Sequence, residues 1–139
     1  MLVRVLPNQL KDHWELIDKA IVSAFPDTAM VMKTALVRDL MLENAVCWFY
    51  MEQDIILAVF ISRINNDYAV GRKTLTIVAA YGLEKLTPKV FIDSFKTAQA
   101  YGKGEGCKFL DFYTDNPRIL EYANMFEAAW KSTYLQLKL

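Results

Sequence analysis

From Lys73 to Leu139 the chain alternates strand-like and helix-like segments, and that order limits the fold more than any other feature. The apolar run Leu75-Thr76-Ile77-Val78-Ala79-Ala80 leads through Tyr81-Gly82 to Thr87-Pro88, a capping residue followed by proline at the first helical position. Phe91, Phe95 and Ala98 mark the inward stripe of that helix, and Gly102 is its expected stop. The short run Phe109-Leu110-Asp111-Phe112-Tyr113 follows. Asn116-Pro117 then repeats the start signal, Ile119, Leu120, Ala123 and Phe126 face inward, and Thr133–Leu137 reads as a closing strand. Strand, helix, strand, helix, strand requires a layered α/β arrangement.

The first half supplies the rest of the sheet. Leu2–Leu6 reads as a strand stopped at Pro7, and from Asn8 the residues Leu10, Trp14, Ile17, Ile21 and Ala24 recur at helical spacing until Phe25-Pro26. Asp27 or Thr28 can cap a second helix, with Val31, Ala35, Leu36, Leu40 and Met41 on one side and Asn44 as its stop. Val46–Met51 and Ile55–Ser62 flank the polar turn Glu52-Gln53-Asp54, the pattern of an antiparallel hairpin. Asn65-Asn66-Asp67 and Gly71-Arg72-Lys73 are expected to bound the connection onward to Leu75. The runs Ile55–Ile61 and Leu75–Ala80 are almost continuously apolar, so they should be the most buried strands. The expectation is one domain over residues 1–139, a mixed and mostly antiparallel sheet of about six strands flanked by four helices.

Composition narrows the function classes. Sixteen basic and sixteen acidic residues cancel, which gives no global field for nucleic acid or an anionic membrane. Cys47 and Cys107 form no Cys-x-x-Cys pair, and the single histidine, His13, cannot complete an ordinary zinc site, so no metal is expected. The thiols read as small buried hydrophobes of a reducing compartment. No apolar stretch approaches the roughly 20 residues that span a bilayer, and no signal peptide opens the chain. A soluble, cytoplasmic protein is the expectation. Tyr101-Gly102-Lys103-Gly104-Glu105-Gly106 has the letters of a phosphate loop, but such a loop follows a strand and opens a helix. This one does the reverse and reads as a turn with no ligand role, carrying at least one glycine of positive φ.

The order β-α-α-β-β-β-α-β-α-β resembles that of the GNAT (Gcn5-related N-acetyltransferase) superfamily over essentially the whole chain. The nearest local match is Cys107 to Tyr134, where a strand ending in Thr114-Asp115-Asn116 leads into a helix with an aromatic close and a final strand. The resemblance is to the short, divergent members that phages encode. It implies an acyl-CoA site in which Val78 and Ala80 flank the pantetheine, Gly82 and Lys85 meet the pyrophosphate, and Asn116 heads the following helix. The family's loop here reads Tyr81-Gly82-Leu83-Glu84-Lys85-Leu86-Thr87-Pro88. It has one glycine where the pattern has two, Pro88 offers no N–H, and Glu84 puts negative charge beside the phosphates.

The tyrosine that serves this family as general acid, protonating the departing CoA thiolate, falls by register on Ala123. Tyr122 stands one residue earlier, about 100° around the helix, and is the candidate acid if the register shifts; otherwise it packs at a surface seam. No Asp, Glu or His lies within Leu75–Ala80 to act as base, and Asp111 could face either cleft or solvent. Two functions follow from the resemblance. One is a catalytically silent GNAT-like protein with no cofactor, acting through a protein partner or self-assembly as a binding, assembly or phage virion component in the host cytoplasm or particle. Its interface would draw on Trp48, Tyr50, Trp130 and Tyr134, which could equally be core. The other is an acetyl-CoA-dependent N-acetyltransferase of a small or protein amine.

Overall fold

The computed structural model describes residues 1–27, 29–69, 71–83, 86–112 and 117–125. Its elements are β1 (Leu2–Val5), a 3-10 helix (Pro7–His13), α1 (Trp14–Ala24), α2 (Ala29–Met41), β2 (Ala45–Glu52), β3 (Ile55–Asp67), β4 (Arg72–Gly82), α3 (Pro88–Gly104), β5 (Phe109–Phe112) and α4 (Pro117–Asn124). The described strands form one five-stranded sheet in sequential order. It is antiparallel from β1 to β4, and β5 adds to β4 in parallel. A parallel pair needs a crossover rather than a hairpin, and α3 is that crossover. The mixed sheet with four helices agrees with the sequence reading; Thr133–Leu137, expected as a further strand, lies outside the described residues.

The helices cover both faces of the sheet. Ile17, Ala20 and Ile21 of α1 and Leu36 and Leu40 of α2 pack on Val5, Cys47, Phe49, Val59, Ile61 and Ala79. On the other face Val90 of α3 joins Tyr50 and Ala58, with Leu2, Leu57, Phe60 and Leu86 around them. The most buried strand is β2, whose first six residues are all buried, rather than β3 or β4. It lies between β1 and β3 under helices on both sides, whereas Ile55 at the start of β3 is 58% exposed. The apolar run overstated the burial of β3 at its start, where Ile55 is exposed and Ile56 and Leu57 are half-buried, whereas Ile61 and Ser62 are buried.

Asn65-Asn66-Asp67 is strand rather than connection. It pairs with Thr74, Lys73 and Arg72, and Asn65 Nδ2 donates to Thr76 Oγ1 at 2.9 Å. The ladder bonds keep a polar segment extended once its partner strand is in place. In α2 the inward stripe is Leu36, Asp39 and Leu40; Val31 and Met41, expected inside, are 72% and 57% exposed. Asp39 is held there by Arg63 Nη1 of β3 at 3.1 Å. The helix stops at Glu43, which takes φ 60°, and the Asn44 N–H closes on the Asp39 carbonyl at 2.8 Å. Glu43, not Asn44, therefore fills the left-handed position after the helix.

Gly102 does not end α3. It is buried inside the helix against β4, where a Cβ would stand at ordinary contact distance, 3.4 Å, from Leu75 Cδ2. The turn into β5 is made by Gly106 at φ 79°, with the Cys107 N–H donating to the Gly102 carbonyl at 2.8 Å.

Candidate functional site

A cleft of about 800 Å3 runs along β4. Six consecutive β4 residues, Leu75 to Ala80, line it. Strand side chains alternate between faces, so the cleft reaches both faces of β4; Leu75–Ile77 pair with β5, and among the described residues only Val78 to Ala80 lack a partner on that side. A β-bulge contributes: Ile61 stands opposite Ala79 and Ser62 opposite Ile77, which leaves Val78 as the extra residue. One wall is Ser23, Ala24 and Phe25 at the end of α1; the other is Phe91, Ser94, Phe95 and Ala98 of α3, with Leu110 and Phe112 of β5 beside them.

The walls are apolar and uncharged. Among the described residues that line the cleft there is no Asp, Glu, His, Lys or Arg. Its polar groups are few. The Trp48 indole N–H donates to Ser62 Oγ at 2.9 Å, and the Trp48 ring meets Tyr101 edge-on at 5.0 Å. Burial, then the charge of Glu105, pushes the Tyr101 phenol above its usual range, so it stays neutral at physiological pH. Ser94 is 7% exposed, and its Oγ has no hydrogen-bond partner among the described residues. Sequence reasoning passed over Ser94, though a signal existed: it stands three residues after Phe91 and four before Ala98, a polar residue on the apolar stripe of α3.

The residues singled out from sequence fall in different places. Val78 at the bulge is half-buried and lines the cleft, as does the exposed Ala80 opposite Phe60. Gly82 is exposed at the end of β4, opposite Ala58. Lys85 and Asn116 lie outside the described residues, as do Trp130 and Tyr134. Tyr122 is half-buried on α4, its ring 5.1 Å from that of Phe91, which itself contacts Phe95 at 4.6 Å. Asp111 is exposed and accepts a hydrogen bond at 2.6 Å from Oγ1 of Thr76, a cleft-lining residue, without lining the cleft itself. His13 meets Phe49 edge-on at 5.0 Å.

Trp48 and Tyr50 are 8% and 0% exposed, so neither offers an aromatic surface to a partner. The Tyr50 hydroxyl donates to Asp93 Oδ2 at 2.9 Å, and burial, then that carboxylate, pushes its pKa up to about 12. Burial likewise pushes the Cys47 thiol up to about 12. At the start of α3, Thr87 Oγ1 accepts the Val90 N–H at 3.4 Å, and Pro88 occupies the first helical position.

Solved structures of similar shape decide what this architecture is. A GCN5-related N-acetyltransferase from Ralstonia eutropha superposes with a TM-score of 0.77 at 13% identity, covering 100% of this chain and 97% of that one. A predicted acetyltransferase with acetyl-CoA from Clostridium acetobutylicum gives 0.75 at 9% identity, covering 99% and 95%. An aminoglycoside N-acetyltransferase in complex with CoA gives 0.69 at 12% identity, covering 99% and 93%. The chain has the GNAT fold. No protein-family model matches its sequence, and no curated protein does. The GNAT likeness therefore rests on shape, at identities that carry fold and no more.

Acetyl-CoA, the cofactor this fold implies, is matched better by one end of the described site than by the other. An apolar cleft against the β4 edge suits a pantetheine arm. The α3 start offers a diphosphate fewer donors: the Val90 N–H is turned onto Thr87 Oγ1 and Pro88 has none to give, which leaves the Lys89 amide in the first turn. Among the described residues of the cleft wall, nothing can accept a proton from an attacking amine at neutral pH.

Proposed function

We propose that this chain is a catalytically silent binding protein on the GNAT scaffold, using the cleft beside β4 as a ligand seat and not as a transferase site. The carrying observation is the Thr87-Pro88 start of α3, which uses the chain's own hydroxyl where an anion would need free amides. Charge-assisted hydrogen bonds of that kind contribute about 1.5–3 kcal/mol each. Two fewer would cost roughly 3–6 kcal/mol, about two to four decades in affinity. A protein partner is part of the proposal, supported by exposed apolar side chains along and after α2: Met30, Val31, Met41 and Leu42.

The second reading is an acetyl-CoA-dependent N-acetyltransferase of a small or protein amine. It is favoured by the open cleft along β4 and by the acetyl-CoA and CoA held by two of the similar structures. Thiol release from acetyl-CoA, measured with aminoglycoside, polyamine and lysine-peptide acceptors, separates the two. The silent reading expects no release above the protein-free rate with any acceptor; steady turnover with one of them would establish the enzyme.

A further inference from the structure

The unpartnered hydroxyl of Ser94 points to what the cleft holds. A buried polar atom without a hydrogen bond is costly, and native proteins keep few of them. Ser94 is 7% exposed on the cleft wall, yet its Oγ meets no partner among the described residues. Ser62, 1% exposed, lines the same cleft from β3. Its Oγ accepts the Trp48 indole N–H at 2.9 Å, which leaves its own O–H to donate. Around these two hydroxyls the walls are Phe60, Leu75, Ile77, Phe91, Phe95 and Phe112.

Charge narrows the ligand further. No described lining residue is basic, so none of them would supply a counter-ion to a carboxylate or phosphate; none is acidic, so none would supply one to an ammonium. The volume of about 800 Å3 lies in the range that takes ligands of drug size. A serine O–H donor in an apolar sleeve suits a carbonyl oxygen, which has lone pairs to receive it.

We propose that the cleft binds a neutral, medium-chain carbonyl compound (an ester, amide or ketone with an aliphatic tail), its oxygen hydrogen-bonded by Ser94. This rests on the reading of the cleft as a ligand seat and names the ligand's chemical class. Trp48 lies in the wall, so its fluorescence reports occupancy. The test titrates the protein with methyl octanoate, and separately with octanoate and octylammonium, which keep the tail and add a charge. Saturable binding of the ester in the micromolar range is expected, with each charged analogue about tenfold weaker or worse. Ser94→Ala is expected to weaken the ester about fivefold while raising the thermal midpoint of the free protein, because it removes an unsatisfied buried group. Ser94→Thr, which keeps the hydroxyl, should retain most of the affinity.

Equal binding of octanoate, full affinity in Ser94→Ala, or no saturation by the ester would each overturn the proposal. Those outcomes leave the silent reading standing, because that reading is decided separately by acetyl-CoA turnover.

Discussion

Gly102 and Gly106 lie four residues apart, and the same substitution should act on them with opposite sign. Gly102 sits within α3, and an added Cβ would meet Leu75 Cδ2 at 3.4 Å, Leu75 Cβ at 3.6 Å and Cys107 Cβ at 3.7 Å. These are ordinary van der Waals separations, so Gly102→Ala adds contact without a clash. It also removes the helix penalty of glycine, up to about 1 kcal/mol, less near a helix end. Gly106 has open space around its Cα but takes φ 79°, where a Cβ costs about 1–2 kcal/mol. In a chain of this length 1 kcal/mol corresponds to roughly 3–4 °C. Gly102→Ala should therefore raise the calorimetric midpoint by about 2–3 °C, and Gly106→Ala should lower it by about 3–8 °C. Should Gly102→Ala lower the midpoint as far as Gly106→Ala does, the placement of helix and turn, and the packing of Gly102 on Leu75, would be refuted.

Tyr50→Phe removes the buried hydroxyl that donates to Asp93, and should cost about 1.5–3 kcal/mol in urea unfolding at neutral pH; a change within error would show that the bond contributes nothing. Because the folded Tyr50 pKa is raised, to about 12 from 10, its contribution is complete below pH 10 and is lost as pH rises toward 12. Stability should fall across that window, and less steeply in Tyr50→Phe. Cys47 is buried with its thiol pushed up to about 12, whereas Cys107 is half-buried with a smaller rise, so maleimide at pH 8 should modify Cys107 first. Mass spectrometry finding Cys47 labelled as fast would contradict the packing of β2.

The fold was legible because its signals are local. Thr87-Pro88 caps and opens α3 as the sequence implies, Gln53-Asp54 turns the hairpin rather than the expected Glu52-Gln53-Asp54, with Glu52 paired to Ile55, and the order of elements gives the crossover to β5. The misses came from tertiary context. Asn65–Asp67 joined a strand because Arg72–Thr74 was there to pair with it. Asp39 could lie buried because Arg63 reaches it from another element, which no helical period reveals. Gly102 looks like a stop in one dimension and is a contact with Leu75 in three. The site was less legible still. The sequence marks Val78 and Ala80 only through a family pattern, whereas the bulge at Val78 beside the cleft depends on register against β3. Ser94 acquires meaning only once its hydroxyl is seen to lack a partner among the described residues.

The central claim is that a GNAT scaffold has lost its grip on the acyl carrier, and isothermal calorimetry with acetyl-CoA tests it most directly. With the Val90 amide turned onto Thr87 and Pro88 offering none, no saturable heat is expected below about a millimolar acetyl-CoA. Saturation at micromolar acetyl-CoA, abolished by Lys85→Glu, would contradict the account and restore the acetyltransferase reading.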